Sequence, residues 1–275
     1  MALRHRRLAG AVHGYVRRPE TLEAVQKAGA VDEVSLDLAE VLRGAELVVL
    51  CTPLSQMAPL VARFPGALAR GAVVTDVGSV KTSVVASLEG PVAAAGGSFV
   101  GSHPMAGSER SGVEAARADL FEGAVSVVTP TFAGDAGAGI QVVQLWEALG
   151  SRVVTLAPEL HDELVSRSSH LPHLVAATLA RFILSPSHPL EQRQLCAAGF
   201  RDTTRVASGS PGMWRDIALA NREAILAALD GFQHGLGELR AELEKCDGEA
   251  IEAFLGVAKE RRDGWIGEGG KSDTE

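Results

Sequence analysis

Aromatic residues are scarce in this 275-residue sequence, at 4%, with a single tyrosine. Ala, Val, Leu and Gly must therefore fill the core, a mix that suits helices packed on a parallel sheet better than an all-β sandwich. Cysteines are few: Cys51, Cys196 and Cys246 are far apart and odd in number. That argues against a disulfide framework, shows no metal-ligand spacing, and fits a reducing, cytoplasmic compartment. No apolar run reaches the roughly 18 residues of a membrane span. The start, Met1 to Val16, is basic and then mildly apolar, but His13 and Gly14 break the run. Neither a signal nor a transit peptide is expected there. Excess positive charge is missing too. The formal charge is -8, and no run of Lys and Arg could form a nucleic-acid-binding face. An anionic substrate stays open, because a few placed Arg side chains can bind an anion inside an acidic protein.

What is present is an ordinary globular composition, 46% apolar and 22% charged, in a chain long enough for one large or two modest domains. Up to about Ala157, strand and helix patterns alternate. AVHGY (11–15), ELVVLC (46–51), GAVVTD (71–76), SFVGS (98–102), AVSVVTP (124–130) and RVVTL (152–156) read as strands. The continuous apolar runs among them have the pattern of strands buried on both faces. Helical stretches lie between most of them, so a doubly wound parallel sheet is expected over residues 1–157. From Pro158 the pattern is helical only, which predicts a second, all-α domain over 158–264. The polar, Gly-rich end, 265–275, reads as disordered.

The front of the sheet domain lacks what such domains open with: a strand, a Gly-rich turn, and a helix whose N-terminus holds a pyrophosphate. MALRHRR reads instead like the middle of that first helix, and no G-x-G-x-x-G precedes the strand AVHGY. Either the true start lies upstream or the domain lacks its first unit. The former is preferred on physical grounds, since losing the central strand would expose two neighbouring edges. At the end of AVHGY, where an acid would bind the ribose of NAD, stand Val16, Arg17 and Arg18. Two guanidinium groups in place of a carboxylate favour a 2′-phosphate, hence NADP, over a merely solvated basic turn. Cys51, Thr52 and Pro53 end the next strand, and ligands of such sheets lie outside these strand ends.

Three further stretches carry candidate chemistry. TDVGSVK (75–81) places Ser79 and Lys81 at a strand-to-helix turn, where Ser is also a good helix cap. GSHPMAGSERSG (101–112) puts His103 in a rigid turn after an apolar strand, a suitable place for proton transfer near neutral pH. In the helical part, HDELVSRSSHLPHL (161–174) holds three histidines, with Pro172 interrupting the helix. It is followed by GFRDTTRVASGSPGMWRDI (199–217), which holds Arg201, Asp202, Arg205, Trp214, Arg215 and Asp216. H-E-x-x-H is absent, so no metal site is expected. An Arg set among Gly, Thr and Trp can bind a small carboxylate bidentately, although surface Arg/Asp pairs are common and weak.

Together, and in this order, these motifs resemble those of prephenate and arogenate dehydrogenases, from about Leu3 to Leu243. The wording is most similar to cyanobacterial arogenate dehydrogenases that use NADP. The resemblance implies a Rossmann-type domain followed by a helical domain that forms a homodimer. It implies His103 as the catalytic histidine, Ser79 orienting it and the nicotinamide, and Arg205 binding the ring carboxylate. His173 and Trp214 would line the side-chain end of the substrate. Glu109, Asp162 and Asp202 match acidic positions tied to pocket gating or ion pairs, and a purely structural ion-pair role stays open for all three. The implied reaction is oxidative decarboxylation of arogenate to tyrosine with NADP. Prephenate as substrate, NAD as cofactor, a β-hydroxyacid dehydrogenase and a cofactor-free binding module remain alternatives. The helical part offers His173 and Arg205 rather than the lysine expected of a β-hydroxyacid dehydrogenase.

Overall fold

The computed structural model describes residues 1–107, 112–131 and 134–272. Seven strands form in chain order: β1 (His13–Tyr15), β2 (Glu33–Ser35), β3 (Leu47–Leu50), β4 (Val73–Asp76), β5 (Ser98–Pro104), β6 (Val125–Thr129) and β7 (Arg152–Thr155). Helices fill the intervals. A one-turn α1 (Ala2–His5) precedes β1; α2 (Pro19–Ala28), α3 (Leu38–Leu42), α4 (Leu54–Val61) and α5 (Thr82–Ala94) link the following strands; α6 (Ala136–Ala148) joins β6 to β7.

The strands make two sheets. β1 pairs β2 in parallel, and the other five run in the order β3-β4-β5-β6-β7. No ladder joins β1 to β3 among the described residues; in the usual order of a doubly wound sheet one more strand lies between them. The larger sheet is mostly parallel, with one departure from the all-parallel expectation: β5 and β6 are antiparallel, with His103 opposite Val127. The described residues between them hold a single 3-10 turn, Val113–Ala115, and no crossover helix that would bring the chain back parallel.

Side chains alternate across β4 as a pleated strand demands. Val74 packs with Leu50, Met57 and Leu88 on one face of the sheet. Val73 packs on the other with Val128, Val142 and Trp146. Both faces are covered, which is why β3 and β4 read as unbroken apolar runs. β2 was not expected from the sequence. It is a three-residue strand with no face fully buried, too short to show a period.

After β7 the chain is helical throughout: α7 (Pro158–Val165), a π turn (Ser166–His170), α8 (Leu171–Ile183), α9 (Glu191–Gln194), α10 (Ala198–Thr204), a 3-10 turn (Arg205–Ser208), α11 (Pro211–Ala220), α12 (Arg222–Lys245) and α13 (Gly248–Ser272). Pro172 does not break the helix. It sits in the first turn of α8, directly after the wider π turn, where its missing N–H costs little. Met1–Ile225 form one compact unit and Leu226–Glu275 another. The expected disorder from residue 265 is corrected in part, because α13 continues to Ser272. A Lys259–Asp263 pair one turn apart and Arg262 stacked 5.0 Å over the Trp265 ring support that last stretch. Among the described residues no helix is long and apolar enough to cross a membrane.

Candidate active site

His103 is not in a turn after its strand, as the sequence suggested, but within β5 itself, near its C-terminal end and 8% exposed. Pairing with β6 on one side fixes its backbone. Its ring is fixed from the helical segment. His103 Nδ1 lies 2.9 Å from His161 Nε2, and His161 Nδ1 lies 2.8 Å from Asp162 Oδ1. The two imidazoles meet edge to face, with centroids 5.1 Å apart. Asp162 is anchored in turn. Its Oδ1 accepts the Lys81 backbone N–H at 2.7 Å, and its Oδ2 accepts that of Thr82 at 2.8 Å. Helix α5 has no side-chain cap of its own, so a carboxylate from α7 occupies its positive end. Burial works against the charged Asp162, but the hydrogen bonds from His161, Lys81 and Thr82 outweigh it and hold its pKa below the ordinary value.

Lys81 lies beneath this array with no exposed surface. Its ammonium pairs with the Asp76 carboxylate at the end of β4 and donates to the Ser102 carbonyl at 2.8 Å. Asp76 also accepts the Gly78 and Ser102 N–H groups, at 2.8 and 3.0 Å. One ion pair thus ties the ends of β4 and β5 to the start of α5. Burial first, and then the charge of Lys81 and the neighbouring His161 and His170, hold His103 well below the usual imidazole value. His103 is therefore a neutral imidazole at pH 7.

A second cluster lies nearby in the helical segment. Asn221 Nδ2 donates to the Asp162 carbonyl at 2.9 Å and lies 3.1 Å from His170 Nδ1. Burial pushes His170 down to about 4 and lowers His173. Trp214 stacks on His173 with centroids 3.5 Å apart and planes 9° apart, and meets His170 edge-on. Gly209 permits this: a Cβ there would stand 2.6 Å from Trp214 Nε1 and 3.2 Å from His173 Cε1. His170 Nε2 and His173 Nδ1 are buried without hydrogen-bond partners, a costly state unless a ligand satisfies them.

The remaining expected residues spread around these clusters. Arg205 opens the 3-10 turn after α10 and lines a cavity of about 450 Å³ with Arg201, Thr204, Ser208, Phe200 and Cys196. Asp202 is exposed on α10. Ser79 is half-buried, and its backbone lies against His170. Glu109 lies outside the described residues. Val16 ends the β1 segment with its N–H on the Ser35 carbonyl, and Arg17 and Arg18 follow, both exposed. Arg17 donates to Gln56 at 2.7 Å. Cys51 and Pro53 are exposed after β3, while the Thr52 hydroxyl is buried without a partner. An orphaned hydroxyl after β3 and two exposed guanidiniums after β1 are groups of the kind that meet the nicotinamide and nucleoside ends of a dinucleotide.

Sequence reasoning missed His161 as the partner of His103, and it left Asp76 and Lys81 without a role. The contacts of His161 with His103, of the Lys81 N–H with Asp162 and of the Ser102 N–H with Asp76 span 58, 81 and 26 residues of chain, while the Lys81–Asp76 pair spans 5. The one available signal was the adjacent His161-Asp162 pair opening the first helical motif. Among the described residues no group of three or more His, Cys, Asp or Glu side chains could hold a metal ion.

A mostly parallel nucleotide-binding sheet, a buried histidine at its C-terminal edge and an appended helical segment together define a two-part dehydrogenase. Residues 1–155 match the family model "Prephenate dehydrogenase, nucleotide-binding domain", and residues 157–257 match "Prephenate dehydrogenase, dimerization domain". The chain belongs to the prephenate dehydrogenase family. It is 36% identical over 248 residues to prephenate dehydrogenase of Bacillus subtilis, covering 89% of this chain and 66% of that longer protein. Prephenate dehydrogenase of Aquifex aeolicus, solved with hydroxyphenyl propionate and NAD+, superimposes with a TM-score of 0.87 at 33% identity, covering 95% of this chain and 92% of the other. Arogenate dehydrogenase of Synechocystis superimposes with a TM-score of 0.80 at 30% identity, covering 96% and 94%.

Proposed function

We propose that this chain carries out the oxidative decarboxylation of arogenate to tyrosine, with hydride passing to NADP. The observation that carries the reading is His103: neutral, at the sheet's C-terminal edge, with Nδ1 committed to His161 and Nε2 left for a reacting hydroxyl. His103 takes the proton of the ring hydroxyl at Nε2 as the carbon beneath becomes a carbonyl. When bound, the oxidised nicotinamide supplies the hydride acceptor. Val16, Arg17, Arg18, Cys51, Thr52, Pro53 and Ser79 would hold that cofactor, with Arg17 and Arg18 facing a 2′-phosphate. Arg205 holds the ring carboxylate and so fixes orientation; a guanidinium stays charged and transfers no proton. Carbon dioxide leaves from that carboxylate and the ring becomes aromatic. His173 and Trp214 line the side-chain end, with Asp202 as an acidic neighbour, and the family resemblance gives Glu109 an acidic role toward the substrate.

Prephenate is the second reading, forming 4-hydroxyphenylpyruvate, and the Bacillus and Aquifex relatives carry its name. The chain is expected to act as a homodimer. In its C-terminal unit Leu226–Glu275, Leu236, Leu243, Leu255 and Trp265 are exposed, more apolar surface than an isolated helix pair usually leaves in water.

Initial rates of nicotinamide reduction with arogenate and with prephenate, each with NADP and with NAD, test the reading. The expected result is a rate with arogenate and NADP that exceeds the other three pairs. A rate confined to prephenate and NAD would replace it with the second reading and leave the Arg17 and Arg18 assignment without support.

A further inference from the structure

We infer that His161 and Asp162 set the tautomer of His103, holding its Nε2 unprotonated and its Nδ1 protonated. This rests on the reading of His103 as the base, and it adds two positioning residues that act through His103.

The direction of each hydrogen bond follows from the fixed end. Both Asp162 oxygens accept backbone N–H groups from the start of α5. A carboxylate so held is ionised and has no proton to give. His161 Nδ1, 2.8 Å from Asp162 Oδ1, must therefore be the donor. A neutral imidazole has one N–H, so His161 Nε2 is an acceptor. Its partner at 2.9 Å is His103 Nδ1, which must then donate. The same count leaves the lone pair of His103 on Nε2. Free neutral histidine prefers its proton on Nε2, so the array reverses the intrinsic preference.

The charged and titratable groups around His103 are His161 and Asp162 on α7, Lys81 at the start of α5 with Asp76 behind it on β4, and His170 in the π turn. Lys81 disfavours a positive His103. Asp162, acting through His161, favours it. When His103 takes a proton on Nε2, the Asp162 carboxylate stabilises the new charge through His161.

A purely structural role is the competing account, because Asp162 also caps α5. Nitrogen-15 NMR of the imidazoles separates the two without substrate or cofactor, with the His103 signals assigned by their loss in His103→Asn. The native chain is expected to show a protonated Nδ1 and an unprotonated Nε2 at His103. His161→Leu keeps apolar volume but removes the acceptor. It is expected to move the proton to Nε2 and to lower kcat by at least about 10²-fold, with KM within about threefold. His161→Gln, whose Oε1 can reach the position of the lost Nε2, is expected to restore both. An Nε2-protonated His103 in the native chain, or an unchanged tautomer in His161→Leu, would overturn the inference. A switched tautomer with unchanged turnover would uphold it and remove His103 as the base instead. Should His161→Leu not fold, the native and His161→Gln spectra still decide: a proton on Nε2 in either overturns it.

Discussion

His103→Asn is expected to cut turnover by about 10²–10⁴-fold, the range a positioned general base contributes, and to leave KM within about threefold. The amide keeps roughly the polarity and bulk of the ring near Nδ1, so the His161 contact has a replacement. It carries no basic nitrogen where Nε2 stood, so the hydroxyl proton has no acceptor. The pH profile of the native chain carries the same signature. Burial, then the charge of Lys81 and the two neighbouring histidines, hold His103 well below 6.5. Protonated His103 cannot accept a proton, so activity is present above its pKa and lost below it. Turnover is therefore expected to stay level as pH falls through 6.5 and to decline only further down. A KM that rose sharply in His103→Asn with normal kcat would assign His103 to binding rather than to chemistry.

Lys81→Met is expected to destabilise the fold by roughly 3–5 kcal/mol, because it strands the fully buried Asp76 without its counter-charge. For a chain of this size that corresponds to a fall in Tm of roughly 6–20 °C. Adding Asp76→Asn removes the stranded charge, so the double variant is expected to be more stable than Lys81→Met alone. An amide is an imperfect substitute here, since two backbone N–H groups point at the Asp76 oxygens, and full recovery is not expected. Two melting curves that simply add would show that the pair is not coupled. The same substitution removes a positive charge from beside His103, and the acid limb of turnover should move to higher pH.

The parts of this fold legible in the sequence are those with a local cause. β3 and β4 are apolar on both sides because both sheet faces are covered, and α2 and α7 open on prolines that suit a first helical turn. The histidine at the strand end and the helical second part were legible for the same reason. What escaped was non-local. β2 has too few residues for a period. The antiparallel course of β6 goes with the lack of a crossover helix among the described residues between β5 and β6, not with any residue in either strand. The length of β5 through His103 and Pro104 is set by pairing with β6, which tolerates a proline near a strand end. His161 looks like an ordinary helix residue until folding brings it to His103, whereas the Lys81–Asp76 pair spans five residues within one strand-to-helix turn and was hidden only because nothing local marks that turn as buried. The Gly-rich end of α13 reads as a breaker by composition, and it is helical where ion-pair and stacking contacts one turn apart precede it.

The most direct test of the central claim is the stoichiometry of a single reaction: carbon dioxide released, nicotinamide reduced and aromatic product formed, all from one sample with arogenate and NADP. One of each per substrate consumed is the expected result. Nicotinamide reduced with no carbon dioxide released would contradict it, because in the proposed reaction oxidation of the ring carbon and loss of the ring carboxylate go together.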